Sequence, residues 1–202
     1  MKKLDVFFVI ALIFAFICPS ASAASGKLPA DSKALQKMEG KYYYLAYNLH
    51  GDQRLGKVSS VNYQLDGGLI PWGTEVKILK VYRNFLMFAD KDSGKKWKYE
   101  FHYNSRQNQG LEEHIKSVFI EDPEPIRRKV ESLSELDRDG IYDGRVRPGM
   151  SRDGVLITMG YPPKFANKRE LMGAREWLYW SSRFNRITVE FDRNGKVSRI
   201  AE

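Results

Sequence analysis

The sequence predicts an α+β protein in two parts: a small β-rich barrel, then a domain containing a short helix, a strand and a hairpin. Over residues 41–121, short segments rich in aromatic and β-branched residues alternate with glycine- and proline-containing turns, which is typical of small barrels. Over residues 126–202, apolar residues first recur at helical spacing and then alternate as in strands. Residues 122–125 are acidic, contain two prolines and lack large apolar side chains, so they are predicted to be a linker.

The N-terminus is predicted to be a signal peptide over residues 1–23. Lys2 and Lys3 form its charged start, and the apolar run over residues 6–18 is too short to span a bilayer comfortably. Ala21-Ser22-Ala23 offers the small residues that signal cleavage requires. Residues 24–40 would then form a leader to the first domain. An uncleaved membrane anchor is the alternative.

Cys18 bears on both lipid attachment and redox chemistry. Ile17 precedes it, whereas lipoprotein processing prefers a small residue there, so lipidation is disfavoured. Cys18 is the only cysteine in the chain, and cleavage after Ala23 would remove it. The mature chain would then have no disulfide, no thiolate nucleophile and no cysteine–metal site.

The chain is basic, with a formal net charge of +8. The signal peptide carries Lys2 and Lys3 against Asp5, which leaves +7 on the mature chain. For an exported protein, this charge favours anionic cell-wall or membrane surfaces or an acidic protein as partners. Solubility alone is the alternative explanation.

The first part is predicted to be mainly strands, preceded and followed by helices. The helices are predicted over Asp31–Glu39 and Leu111–Ile120, and the strands over Lys41–Leu49, Val58–Leu65, Thr74–Tyr82, Phe85–Ala89 and Lys95–Tyr103. The last strand interleaves basic and aromatic residues, as nucleic-acid stacking platforms do. Alternation would place Trp97 and Tyr99 on one face and Lys98 and Glu100 on the other. We therefore predict an amphipathic strand and no nucleic-acid partner.

The stretch from Ile70 to Val76 has an apolar-Pro-x-Gly-Thr-x-Val pattern. In this it loosely resembles bacterial SH3-like modules. The resemblance implies a small SH3-like barrel over residues 41–121.

The second part opens on a short predicted helix after Ser151. The Ser151 hydroxyl can accept a hydrogen bond from a free backbone N–H of the first turn. Val155 and Met159 lie at helical spacing, and Gly160 can supply the left-handed residue that ends a helix. Gly154 inside this helix lowers helix stability by about 1 kcal/mol relative to alanine, so packing must stabilise the helix.

Three strands are predicted after this helix. Glu176–Trp180 is aromatic, and Arg186–Asp192 alternates, with Ile187, Val189 and Phe191 on one face. A turn ending in Asn194-Gly195 leads to a return strand over Lys196–Ile200.

These pieces resemble the SmpA/OmlA (BamE-like) family of bacterial envelope proteins. The matching residues are Gly149-Met150-Ser151 with Val155, Gly160-x-Pro162, Trp177-x-Tyr179, and Phe191-Asp192-x-x-Gly195-Lys196-Val197. The resemblance implies a domain of two helices on a three-stranded antiparallel sheet, a fold that also occurs in the β-lactamase inhibitor protein. It further implies an outer-membrane or periplasmic protein as partner and a structural role.

Chemical motifs are weak in this sequence, so we predict no catalytic residue, no metal site and no cofactor. The acidic run Glu135–Gly140 resembles the start of a calcium loop, but its twelfth position is Val146, which offers no oxygen. The histidines His50, His102 and His114 form no metal-binding spacing. The chain also lacks a G-x-S-x-G motif, a P-loop and a dinucleotide-binding glycine run.

Aromatic residues are the candidate binding residues. Strand alternation pairs Trp177 with Tyr179 on one face and Leu178 with Trp180 on the other, and one pair should be core. Trp and Tyr are favoured as interface anchors. The candidates are therefore Trp177, Tyr179 and Trp180, together with Trp72 in the Pro71-Trp72-Gly73 turn.

The sequence thus predicts an exported, non-enzymatic binding or structural protein of the bacterial cell envelope. It would be periplasmic, with outer-membrane association as a variant, and would support outer-membrane or periplasmic protein assembly through an unidentified envelope protein. One alternative is a cell-wall or ligand-binding module. Another is an inhibitor of an exported enzyme, although fold alone says little of function.

Overall fold

A computed structural model describes residues 30–64, 68–102, 110–163 and 168–202. The predicted signal peptide over residues 1–23, Cys18 included, and residues 24–29 of the predicted leader lie outside the described residues. Within those four ranges, no helix combines the length and the apolarity that crossing a membrane requires.

Helices and strands are intermixed along the described chain. The helices are α1 Ala30–Gln36, α2 Leu111–Val118, α3 Glu124–Ser132, α4 Glu135–Asp143, α5 Arg152–Met159 and α6 Lys168–Gly173. The strands are β1 Tyr42–Leu45, β2 Leu49–Asp52, β3 Lys57–Ser59, β4 Leu69–Ile70, β5 Glu75–Val81, β6 Phe85–Asp90, β7 Lys96–Glu100, β8 Phe119–Ile120, β9 Glu176–Trp180, β10 Arg186–Phe191 and β11 Val197–Ala201.

Strands β1 to β8 form one mixed sheet in the order β4-β2-β3-β7-β6-β5-β1-β8. All neighbours are antiparallel except β3 and β7, which run parallel. Apolar residues alternate along these strands and bury one face, as Val76 and Ile78 do on β5 and Leu86 and Phe88 on β6. Helix α2 contributes Ile115 and other apolar residues to the same core.

Strands β9 to β11 form a second, antiparallel sheet in the order β11-β10-β9. Its inward residues are Trp177 and Tyr179 on β9 and Ile187, Val189 and Phe191 on β10, which pack with the apolar side chains of α5. The predicted strand alternation is therefore confirmed for β9 and β10.

The predicted fold class, an SH3-like barrel followed by a BamE-like domain, is wrong. The first part is an eight-stranded mixed sheet. Phe119 and Ile120, predicted as the end of a helix, form β8 and pair with β1. The second part does not simply stack helices on its three strands, because Val130 of α3, Ile141 of α4 and Ile157 of α5 form a separate core cluster against Trp72 of the first part.

The predicted linker over residues 122–125 contains the start of α3. Pro123 is the N-cap residue of this helix and Pro125 lies in its first turn, where a missing backbone N–H costs no hydrogen bond. The two prolines therefore begin a helix instead of keeping the segment extended.

Asn48 joins the large sheet to the helices of the second part. Its backbone N–H donates to the Ile157 carbonyl at 2.8 Å, and its side-chain Nδ2 donates to the Ile141 carbonyl at 2.7 Å. Its Oδ1 accepts from the Trp72 backbone N–H at 2.9 Å. Asn48 is completely buried, so these bonds replace the water that the amide would otherwise bind.

Asn62 makes a second such connection. Its Nδ2 lies 3.0 Å from the Asn48 carbonyl oxygen and 2.9 Å from the Met159 carbonyl oxygen. Its Oδ1 accepts from the His50 backbone N–H at 2.8 Å. Asn62 has a φ of 52°, a left-handed conformation that asparagine tolerates better than most residues. We refer to the buried amides of Asn48 and Asn62 with their partners as the amide seam.

Candidate functional site

A cleft of about 640 Å³ lies beside the amide seam. On one side it is lined by residues of β2, β3 and the end of β7, and on the other by Trp180 and Arg183 near the β9–β10 turn. Ligand sites occur preferentially at such junctions between packed units. This cleft is therefore the candidate functional site.

The β2–β3 turn supplies one lip of the cleft. Asp52 pairs with Lys57 across the two strands, and its Oδ1 accepts a hydrogen bond from the Leu55 backbone N–H at 3.0 Å. This side chain-to-backbone bond fixes the turn. It leaves the Leu55 side chain 54% exposed at the edge of the cleft.

The β9–β10 turn supplies the opposite lip. The Trp180 carbonyl accepts from the Gln64 backbone N–H at 2.9 Å, which ties the end of β9 to the segment that carries Tyr63. In the turn, the Ser182 hydroxyl accepts from the Phe184 and Asn185 backbone N–H groups. Phe184 is 86% exposed at the tip, beside Arg183. The half-buried Trp180 and Tyr63 therefore form aromatic walls below an exposed apolar tip.

Glu100 is the acidic group on the floor of the cleft, and two lysines hold it. Lys98 Nζ lies 2.7 Å and Lys57 Nζ 3.8 Å from its Oε1. The hydrogen bond from Lys98 is the main cause that lowers the pKa of Glu100 below its usual value, and the charge of Lys57 acts in the same direction. Glu100 is therefore a fixed anion at neutral pH, held by the two lysines and poorly suited to donating a proton.

His50 forms part of the inner wall. It is buried, and its Nε2 lies 3.4 Å from the Thr158 carbonyl oxygen of α5. It also lines a second cavity, of about 590 Å³, which reaches the C-terminal residue Glu202. His50 thus lines both cavities.

The structure brings one of the four predicted binding residues, Trp180, into the cleft. Trp177 has no exposed surface, and its Nε1 donates to the Leu171 carbonyl at 2.9 Å. Tyr179 is also buried, and its hydroxyl donates to the Gly160 carbonyl at 3.0 Å. Trp72 packs on the cluster formed by α3, α4 and α5. In this structure Trp177, Tyr179 and Trp72 serve packing.

Sequence reasoning did not propose Asp52, Lys57, Tyr63, Glu100 or Arg183 as site residues. Glu100 was placed correctly on the polar face of its strand. However, the pairing of β3 with β7 that brings Lys57 to it is parallel and non-local. Arg183 lies in an irregular turn, where no periodicity indicates direction. Periodicity identifies the polar face of β7. No local signal in the sequence indicates that Lys57 and Arg183 lie near this face.

The cleft combines two aromatic walls, acidic and basic side chains and open access. Within the described ranges, no group of three or more His, Cys, Asp or Glu side chains is arranged to hold a metal ion. Complementary charge and aromatic surface can orient and hold a ligand.

Comparisons with known proteins found no match to this chain among family models, curated proteins or solved structures.

Proposed function

We propose that this chain is an exported, non-enzymatic binding protein of the cell envelope and that it holds a partner protein in the cleft. The observation that carries the proposal is the position of Trp180 and Arg183 at a concave junction together with Tyr63, whose segment is hydrogen-bonded to the end of β9. Trp, Tyr and Arg are the residues that most often dominate the binding energy of protein interfaces.

The exposed tips favour a protein over a compact ligand. Leu55 and Phe184 project from the two lips of the cleft, and both are large apolar side chains facing solvent. A ligand confined to the cleft floor would leave them uncovered. A partner protein would cover both tips together with the aromatic walls, and burial of that apolar surface favours binding.

The N-terminal sequence supports the location. Lys2 and Lys3, the apolar run to Cys18 and the small residues before Ala24 have the form of a secretory signal peptide. Mass spectrometry of the exported protein tests this part: we expect a mature chain that begins at Ala24 without a lipid. A chain beginning at a diacylated Cys18 would contradict it.

The binding role is tested by crosslinked capture from solubilised envelope with the full mature chain as bait. Trp180→Ala removes one wall of the cleft, and Tyr142→Ala is the matched control because Tyr142 is an exposed aromatic residue on α4 outside the cleft. We expect a specific partner to be lost with Trp180→Ala and kept with Tyr142→Ala, both variants retaining the wild-type Tm within a few degrees.

A cell-wall ligand is the alternative outcome of the same test. If the wild-type chain sediments with purified peptidoglycan and Trp180→Ala does not, the cleft binds cell wall and the protein-partner proposal is wrong. Capture that is unchanged by Trp180→Ala would exclude the cleft as the binding site.

A further inference from the structure

A third cavity, of about 540 Å³, adjoins the cleft along the face of the large sheet. It is lined at the β5–β6 turn by Tyr82, Arg83 and Phe85 and shares Glu100 and His102 with the cleft. The two cavities therefore form a single groove, which we call the sheet groove. It runs from the β5–β6 turn across β7 into the cleft, which lies between the β2–β3 turn and the β9–β10 turn.

The far end of the sheet groove is an aromatic platform. The rings of Tyr82 and Phe85 are stacked, with centroids 4.3 Å apart and planes 22° apart. Lys98 Nζ lies 4.4 Å from the centroid of the Phe85 ring, within cation–π range. These contacts hold Phe85 in place, while Tyr82 remains exposed. The groove thus has aromatic residues at both ends, Tyr82 with Phe85 at one and Trp180 with Tyr63 at the other.

The charge of the sheet groove is positive. Four basic side chains, Lys57, Arg83, Lys98 and Arg183, line it with two carboxylates, Asp52 and Glu100, which leaves a net charge of +2 with neutral histidines. Both lysines pair with Glu100, whereas Arg83 and Arg183 are exposed residues, one in each cavity. Arginine binds carboxylates in a bidentate geometry that favours recognition.

The length of the sheet groove suits an extended chain. Within the large sheet alone, the order β2-β3-β7-β6 sets β2 and β6 three strand spacings apart, a distance of about 14 Å at about 4.8 Å per spacing. An extended peptide rises about 3.3 Å per residue, so about five residues would span it. A compact small molecule would occupy one cavity and leave the other open.

We propose that the sheet groove binds an extended acidic segment of a partner polypeptide that carries aromatic or apolar side chains, an inference that rests on the proposed function. Carboxylates of the segment pair with Arg83 and Arg183. Its aromatic side chains pack on Tyr82 at one end and on Trp180 at the other. An anionic glycan would satisfy the charge but would make little use of the exposed Leu55 and Phe184, and a flat anionic lipid surface would contact these tips without filling the groove between them.

Fluorescence anisotropy with the full mature chain tests this inference. The probe is a labelled random copolymer of glutamate and tyrosine, compared with polyglutamate, hyaluronate and phosphatidylglycerol vesicles. We expect the copolymer to bind at least five times more tightly than polyglutamate and the other two anions. Raising the salt concentration from 50 to 200 mM should weaken binding, because the charges are exposed.

Matched charge reversals locate the binding. Arg83→Glu and Arg183→Glu change the far cavity and the cleft, respectively, and Arg128→Glu makes the same charge change on the exposed side of α3. We expect each of the first two to weaken copolymer binding at least fivefold and Arg128→Glu to weaken it less than twofold.

Two results would overturn the inference without touching the proposed function. One is copolymer binding that is insensitive to Arg83→Glu but lost with Arg183→Glu, which would confine the ligand to the cleft. The other is binding of vesicles or hyaluronate as tightly as the copolymer, or no copolymer binding at all, which would exclude an acidic aromatic peptide. The proposed function is judged separately, by partner capture with Trp180→Ala.

Discussion

The amide seam and the cleft both lie where the large sheet meets the second part of the chain. In the seam, Asn48 and Asn62 are buried, and their side-chain amides bond to carbonyl and N–H groups of the chain itself. In the cleft, Asp52, Tyr63 and Arg183 line an open volume. A buried polar group without a partner costs free energy, whereas an open one can be satisfied by water or by a ligand. The seam therefore holds the two parts together, and the cleft remains open to a ligand.

Strand β9 shows the same division within four residues. Trp177 lies in the core between the second sheet and α5, and Trp180 lines the cleft. Substitutions on the seam and core side should therefore lower stability, and substitutions in the cleft should weaken binding.

We expect Trp177→Ala to lower the free energy of unfolding by about 3–5 kcal/mol, because it empties a large space in the core. Trp180→Ala should cost only about 1 kcal/mol, since its side chain is half-exposed. Urea denaturation followed by circular dichroism measures both. Equal losses in the two variants would show that β9 does not divide core from cleft.

We expect Asn62→Ala to destabilise the protein by about 2–4 kcal/mol, because the His50 N–H and the Asn48 carbonyl lose this buried partner and the Met159 carbonyl keeps only the 3.4 Å bond from Gln64 Nε2. Asn62→Gly removes the same hydrogen bonds but accepts the positive φ, so it should be about 1 kcal/mol less harmful than the alanine variant. The same urea titration measures both. A stability within 0.5 kcal/mol of wild type for Asn62→Ala would mean that the seam does not hold the junction.

Gly154→Ala should destabilise the protein by about 1–3 kcal/mol, although alanine favours helices. A Cβ at this position would overlap the carboxylate of buried Asp137. That carboxylate accepts from the Ser151 N–H at 2.6 Å and the Ser134 hydroxyl at 2.7 Å. Gly173→Ala is the matched control, since nothing lies within 4 Å of its Cβ position. A stabilising Gly154→Ala, as judged by Tm, would contradict this packing.

The smallest effect concerns Glu100. Its pKa is lowered chiefly by the hydrogen bond from Lys98, so its contribution to stability is present above the unfolded-state pKa and is lost as pH falls through the lower folded-state pKa. Lys98→Met should raise the pKa of Glu100 and reduce this acid-side loss of stability. Carboxyl chemical shifts followed by NMR from pH 2 to 7 measure the pKa, with Lys96→Met as the control. An unshifted Glu100 in the Lys98→Met variant would contradict the assignment.

Local features of the second part could be predicted from the sequence. Ser151 caps α5 by accepting from the Gly154 N–H at 3.0 Å, and the helix ends at Gly160 with a φ of 78°. These features depend on residues within one or two turns of each other. The inward placement of Ile187 and its neighbours followed from alternation alone.

The non-local features could not be predicted. Strand β8 exists because Phe119 and Ile120 pair with β1, far away in sequence. The cleft depends on the parallel pairing of β3 with β7 and on the bond from Gln64 to Trp180. Glycine is needed at position 154 because the Asp137 carboxylate occupies the space of a Cβ, and this contact joins two different helices. A single sequence carries no record of which distant residues meet.

The amide seam also has a consequence for the order of folding. Its bonds from Asn48 to Ile141 and from Asn62 to Met159 join residues 93 and 97 positions apart. Contacts across such distances pay the entropy of closing a long loop and slow folding. A chain that crosses a membrane N-terminus first would deliver the two asparagines well before their partners. We expect the contacts between the large sheet and α5 to form late. Refolding should therefore be slow and should finish with the burial of these amides.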